Sequence, residues 1–258
     1  MAGVDDDAMV RQYATPANLS ARIALHERFG SAEVPWQTWV FDQLELQPGD
    51  RLLEVGCGTG ALWRANAGRV PEGVTLTLTD RSAGMLDRAR DAIGATLVTA
   101  DVAGLPFTAG SFDVAVANHM LYHAADPPRA IAELARVLAP NGRLVASTNG
   151  AGHLQEIAEL IAAYGEPPGP SVAARFALEN GGHLLAEHFA SVDVRRRDDV
   201  LRVDDPDALV AYVASMARRP SSPLDLDALR EDVTRKIRRD GAIELRTSSG
   251  LFLARDPL

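Results

Sequence analysis

LLEVGCGTGALW, residues 52–63, is the stretch that decides how this chain folds. The run Leu52-Leu53-Glu54-Val55 predicts a short buried strand. Glycines follow at Gly56, Gly58 and Gly60, and Ala61-Leu62-Trp63 opens a helical pattern. Strand, glycine turn and helix, in that order, form the layout in which a doubly wound α/β sheet holds a nucleotide. Without a Cβ, the glycines permit a sharp turn, positive φ and close approach of a ligand to the main chain. The helix that follows aims its first N–H groups at that ligand.

Outward from this turn the chain alternates as βαβ units do. Strands are expected at 51–55, 74–80 (VTLTLTD), 95–101 (ATLVTAD), 111–118 (SFDVAVAN) and 143–149 (RLVASTN). Helices are expected at 59–68, 82–92 and 126–138, the last with Pro127 and Pro128 in its first turn. The strands are apolar without clean alternation, which suggests a sheet covered on both faces. Beyond 149 the rhythm breaks. A helix is expected at 153–164, a second near 174–188, one strand at 190–203, helices at 205–217 and 225–239, and one strand at 242–256 with a bulge near Ser248-Ser249-Gly250. Upstream, a helix capped by Asn18 or Ser20 should stop at Gly30. Another, at 35–46, carries Trp36, Trp39, Val40 and Leu44.

The length of 258 residues, with 47% hydrophobic and 24% charged side chains, suits one soluble α/β domain with added structure. A net charge of −9 argues against a general nucleic-acid or membrane-surface binder. The single cysteine, Cys57, excludes an internal disulfide and a cysteine metal cluster, and no metal site is expected. No apolar run is long enough to span a bilayer, and the start MAGVDDDAMV is acidic where a signal peptide would be basic. A cytoplasmic protein, monomer or homodimer, is the expectation. Lys236 is the only lysine, which makes a catalytic lysine improbable.

The glycines alone also satisfy a dinucleotide pattern, Gly56-x-Gly58-x-x-Ala61. Their company narrows the reading: Glu54 lies near the end of the first strand, Asp80 closes the second and Asp101 the third. This arrangement resembles class I S-adenosylmethionine-dependent methyltransferases in the form E-x-G-x-G-x-G. The resemblance covers residues 51–149 strongly, and the N-terminal helices and last two strands more weakly. It implies a Rossmann-like, seven-stranded, mostly parallel sheet with an antiparallel last strand. It also implies a helical lid at 1–47 and a methyltransferase domain at 48–258 with cap insertions at about 150–189 and 205–240.

In that family's terms S-adenosylmethionine is the cofactor, and Glu54, Gly56, Cys57, Gly58 and Gly60 shape its methionine end. Cys57 is there as a small residue in a tight loop, not as a nucleophile. Asp80, with Arg81 beside it, would accept the ribose hydroxyls; a helix cap is its alternative role, although Ser82 is the better cap. Met85 would contact the adenine, and Asp101-Val102 would read its edge. Asn118 and His119 would lie near the methionine amino group. On the N-terminal helix Arg22 would pair with the methionine carboxylate and Tyr13 would cover the sulfonium, a solvated face being the alternative for Arg22 and His26.

The implied reaction is methyl transfer to a small molecule, and arginine-rich composition with family habit suggests a secondary metabolite. His119 and His123 are the candidates for a general base, since imidazole titrates near neutral pH. Structural packing is their alternative. Tyr13, Trp36, Tyr122, His153 and Phe176 are the expected substrate contacts. Two rival classes share these motifs: an S-adenosylmethionine-binding enzyme of another reaction, such as a cyclase, and a nicotinamide-dependent oxidoreductase.

Overall fold

In the computed structural model, which describes residues 16–90, 94–164, 172–216 and 224–258, the first elements are helices α1 (Pro16–Phe29) and α2 (Trp36–Asp42). The glycine turn joins β1 (Arg51–Val55) to α3 (Ala61–Asn66). Then come β2 (Thr75–Asp80), α4 (Ala83–Ala89), β3 (Thr96–Thr99), β4 (Phe112–Asn118), α5 (Pro127–Val137) and β5 (Leu138–Asn149). The remainder holds α6 (Gln155–Ile161), α7 (Gly181–Ala186), β6 (Phe189–Arg196), β7 (Asp199–Val203), α8 (Pro206–Ala214), α9 (Leu226–Asp240), β8 (Ile243–Thr247) and β9 (Ser249–Pro257). Two compact units result. One comprises 34–151, 172–197 and 249–258; the other comprises the described parts of 1–33, 152–171 and 198–248.

The first unit is built on a seven-stranded sheet of order β3-β2-β1-β4-β5-β9-β6. β1 to β5 run parallel, and β9 is antiparallel to both β5 and β6. The expected Rossmann-like sheet with an antiparallel last strand is therefore present. Successive side chains on a strand point to opposite faces. Leu52 and Leu53 are both fully buried, and they join different cores. Leu53 packs with Ala115, Ile131 and Leu134, while Leu52 packs with Val40, Leu62 and Trp63. A sheet covered on both faces explains why β1 and β4 lack polar alternation, each buried leucine contributing roughly 1.5–3 kcal/mol. α5 starts where Asp126 accepts from the Arg129 amide, and it buries Ala130, Ile131, Leu134 and Val137 on one face.

In the second unit α1, α6, α8 and α9 enclose a core of Leu25, Ile157, Ile161, Leu201, Leu209, Val213, Leu229, Val233 and Leu245. β7 and β8 pair antiparallel in a separate two-stranded sheet, from Asp199↔Thr247 to Val203↔Ile243. Asp205 and Asp225 cap α8 and α9 through their first-turn amides. No helix of the described residues is long and apolar enough to cross a membrane.

Several expected boundaries move. The strand expected at 190–203 is two strands, β6 and β7, in different sheets, and so is the strand expected at 242–256. The expected bulge at Ser248-Ser249-Gly250 is the point where the chain changes sheet. Of the residues expected in the lid at 1–47, residues 34–47 group with the sheet, where Val40, Phe41 and Leu44 complete the core around Leu52 and Trp63. The insertion at 150–189 likewise divides: α6 belongs to the second unit, and α7, which buries Leu185, to the first. α1 already runs at Pro16, ahead of the expected caps.

Candidate functional site

Gly56, Gly58 and Gly60 all adopt left-handed backbone, with φ of 62°, 55° and 73°. L-residues pay roughly 1–2 kcal/mol for that conformation. The three positions differ in surroundings. A Cβ on Gly56 would stand 2.8 Å from the Met120 Cβ, whereas one on Gly58 would meet nothing within 4 Å among the described residues. Gly56 is thus required by φ and by packing. Gly58 is required by φ alone, and it leaves an open approach to the main chain. The turn is tied to β2 by the Cys57 amide, which donates to the Thr79 carbonyl at 3.0 Å.

Asp80 sits beside this turn at the end of β2. Its carboxylate accepts from the Gly58 amide at 3.0 Å and from the Ser82 amide at 2.8 Å. Ser82, and not Asp80, caps α4, accepting from the Met85 amide at 3.3 Å. Asp101 accepts from the Ala103 amide at 2.9 Å, and Arg81 stands 3.5 Å from its other oxygen. The Val102 side chain is buried in the core, so only its main chain can meet a ligand. Met85 is half-buried in the first turn of α4.

Glu54 is in another medium. It is 2% exposed, and one carboxyl oxygen accepts from the Trp63 indole N–H at 2.6 Å. Burial pushes its pKa up to about 7; the indole bond works against that rise and the charge of Asp80 adds to it. Burial also pushes the Cys57 thiol well above its usual range, with Glu54 and Asp80 adding, so it stays a neutral thiol and no nucleophile.

At the end of β4 the Asn118 side chain holds a small network. Its oxygen accepts from the Ser147 hydroxyl at 2.6 Å and the Trp36 indole at 3.3 Å, and its nitrogen donates to Gln37 at 3.2 Å. The Ser147 hydroxyl in turn accepts from the His119 amide at 2.9 Å. His119 has φ of 54°, a rare conformation for a residue with a side chain, and such strain gathers at functional sites. Its ring lies 4.9 Å from Trp36 and 6.3 Å from Tyr122, which meets His123 edge-on at 4.4 Å. Trp36, Asn118, His119, Tyr122 and His123 therefore form one cluster, and Met120 within it fills the space a Cβ on Gly56 would need.

Sequence reasoning missed the residues that position this cluster. Gln37 and Ser147 carry no motif, and the Arg197 guanidinium lies over the rings of Trp36 and Trp39 at 5.8 and 5.6 Å. Trp63 was legible only as a helical apolar residue.

Other expected residues are placed elsewhere. Phe176, expected as a substrate contact, is fully buried, edge-on to Phe252 at 5.7 Å, with Thr148 bonded to its carbonyl. Arg22, His26 and His153 belong to the second unit. There Arg22 donates to the Ser215 hydroxyl at 3.2 Å and carbonyl at 3.1 Å. His153 stacks on His26 at 5.6 Å and accepts from the Ser248 amide at 3.3 Å. Burial lowers the pKa of His26, opposed by the charge of Asp199. Tyr13 lies outside the described residues. Among the described residues, no group of three or more His, Cys, Asp or Glu side chains is disposed to hold a metal ion.

A family model described as a methyltransferase domain matches residues 53–146. A malonyl-[acyl-carrier protein] O-methyltransferase from Serratia marcescens is 36% identical over 116 residues, covering 43% of each chain. The chain thus spans less than half the length of that relative. One of the same description from Geobacter sulfurreducens is 33% identical over 183 residues, covering 67% of this chain and 68% of the relative. The solved structure of the [4+2]-cyclase SpnF shares the fold, with a TM-score of 0.57, 20% identity and coverage of 98% of this chain and 97% of that one. Identity at the Geobacter level across two thirds of both chains exceeds what a shared architecture alone would give, and the chain belongs to the class I S-adenosylmethionine-dependent methyltransferase family.

Proposed function

We propose that the protein transfers the methyl group of S-adenosylmethionine to a small-molecule acceptor, by our reading a secondary metabolite in the cytoplasm. The observation that carries this is Asp80, bonded to the Gly58 amide beside a left-handed turn whose Gly58 face is open. An acid and an accessible main chain, side by side at the strand ends, fit a nucleoside with an attached amino acid. Asp80 would accept from the ribose hydroxyls. Asp101 would accept from the adenine amine, the Val102 amide would donate to the ring, and Met85 would lie against it. Glu54, Cys57 and the glycines would shape the methionine end, with the Asn118 main chain near the amino group.

The cofactor supplies, when bound, a methyl group already activated by a positive sulfur. Much of the acceleration then comes from alignment of the acceptor, for which Trp36 and Tyr122 offer flat apolar surface. His119 or His123 would take a proton from an acceptor that must lose one. Calorimetry should show S-adenosylmethionine and S-adenosylhomocysteine binding and no response to NAD; the reverse would sink the assignment. With candidate acceptors, mass spectrometry should find S-adenosylhomocysteine and a product heavier by one methylene. An isomerised product without S-adenosylhomocysteine would point instead to a cyclase. If one histidine is the base, its Ala variant should keep cofactor affinity and lose turnover on the order of 10²-fold.

A further inference from the structure

The bond between Glu54 and Trp63 has a place in the fold that the motif does not require. Glu54 ends the strand side of the glycine turn, and Trp63, fully buried, lies in the first turn of the helix side. Their 2.6 Å hydrogen bond joins strand to helix beneath Gly56, Gly58 and Gly60. Among the described residues it is the only side-chain hydrogen bond the Glu54 carboxyl makes. The carboxyl can use it in either protonation state, since it needs only a lone pair. Ionised, it accepts more strongly; protonated, it costs less to bury.

The groups around Glu54 set the balance. From β2, Leu78 is its register partner, and from β4, Val116, both apolar. The titratable neighbours are Asp80, whose negative charge opposes a second one, and the neutral Cys57 thiol. Among the described residues, the charge that acts on Glu54 is that of Asp80, of its own sign. A ligand that brings positive charge to the turn would oppose that repulsion.

Taking the cofactor proposed above as the ligand of this turn, we propose that Glu54 and Trp63 form a proton-linked positioning pair beneath it. Glu54 carries its proton in the free protein and releases it when S-adenosylmethionine is held above the turn. The O–H bond breaks, the electron pair stays on the carboxylate, and the proton passes to solvent. Trp63 acts through the indole bond as a positioning residue that sets the pH at which this happens. S-adenosylhomocysteine lacks the sulfonium charge and draws off less of the proton. The pair therefore favours cofactor over spent product, and the preference grows as pH rises from 6 to 8.

The test is titration of the intact protein with each ligand by calorimetry from pH 6 to 8, in buffers of different ionisation enthalpy. Near pH 6.5 wild type should release a large fraction of one proton on binding S-adenosylmethionine, and less with S-adenosylhomocysteine. Its S-adenosylmethionine affinity should rise about tenfold over the range relative to Glu54→Gln. That variant is the reference because the ligand's own amino group titrates nearby, equally in both proteins. Trp63→Phe keeps the ring and removes the donor, so the midpoint of the wild-type pH profile should move upward. A loss of affinity equal at every pH, with no moved midpoint, would reduce Trp63 to packing and overturn its role. Proton release that is absent in wild type, or unchanged in Glu54→Gln, would overturn the proposal. The wild-type measurement needs no variant to fold. Binding with a flat pH profile removes this inference alone, whereas no binding at any pH removes the cofactor assignment and the inference with it.

Discussion

Beneath the glycine turn and at its rim the protein keeps two acids in opposite surroundings. Glu54 and Asp80 come from neighbouring parallel strands and flank the same loop. Asp80 is half-buried and is held by two main-chain amides, which leave lone pairs for a ligand. Glu54 is sealed from water and held by one indole, which does not offset the cost of burying a charge. Both are carboxylates near a strand end, so acid chemistry alone does not separate the two. What separates them is which atoms occupy the space around each carboxyl, so one is suited to grip a ligand and the other to respond to its charge.

Removing the rim acid should have the largest effect. By the proposed ribose contact, Asp80→Ala would lose two charge-assisted bonds, each worth roughly 1.5–3 kcal/mol, so affinity for S-adenosylhomocysteine should fall by at least about 10²-fold. A folded variant with unchanged calorimetric affinity would mean that Asp80 serves only the Gly58 and Ser82 amides. The acid beneath the turn should be read in stability. Its folded pKa, about 7, lies above the 4.5 of an unperturbed carboxyl, so the folded state holds the extra proton between those values. Wild-type stability should therefore fall as pH rises through that window and level off above it, by about 3 kcal/mol in total. Denaturation at pH 5 and pH 8 should show Glu54→Gln escaping this decline; parallel curves would place Glu54 in contact with water.

The glycines sharpen the contrast at a smaller scale. Gly56→Ala meets both positive φ and Met120, and should destabilise by about 2–4 kcal/mol. Gly58→Ala meets only the φ cost, about 1–2 kcal/mol, and should act mainly on ligand affinity. Equal melting losses would show that Met120 gives way freely. The smallest effect belongs to Arg81→Ala, whose pair with Asp101 is half-exposed on both sides; stability should change by less than about 1 kcal/mol. A larger loss, measured by denaturant unfolding, would give Arg81 a structural task.

Residues 51–149 were legible because their signals are local. β1 runs over Arg51–Val55 as read, and glycines, strand-end acids and caps each announce themselves within a few residues. Beyond 149 the deciding contacts are distant. Nothing in 189–203 says that Arg196 pairs with Gly250 while Asp199 pairs with Thr247 in another sheet. An unbroken extended run therefore read as one strand. Phe176 read as pocket lining because it is an aromatic residue in the segment added after β5, yet its ring fills core space against Phe252. In the cluster at β4, Asn118 and the histidines stood out by their place in the motif. Ser147, which orders them, is a small residue inside an apolar strand and gives no sign from sequence alone.

β9 lies between β5 and β6 in the sheet although it follows both in the chain, and the core around Leu25 is completed only at Leu245. During synthesis this order matters. β1 to β5 can pair as they leave the ribosome, but β5 keeps a bare edge, and β6 has no neighbour, until residues 249–257 emerge. α1 waits similarly for partners from α6 onward. Each nascent chain thus spends the translation time of residues 150–257 with unpaired strand edge and uncovered leucines. That interval, rather than the stability of the finished fold, is where chaperone capture and aggregation would act, and slowing translation after residue 149 should lengthen it.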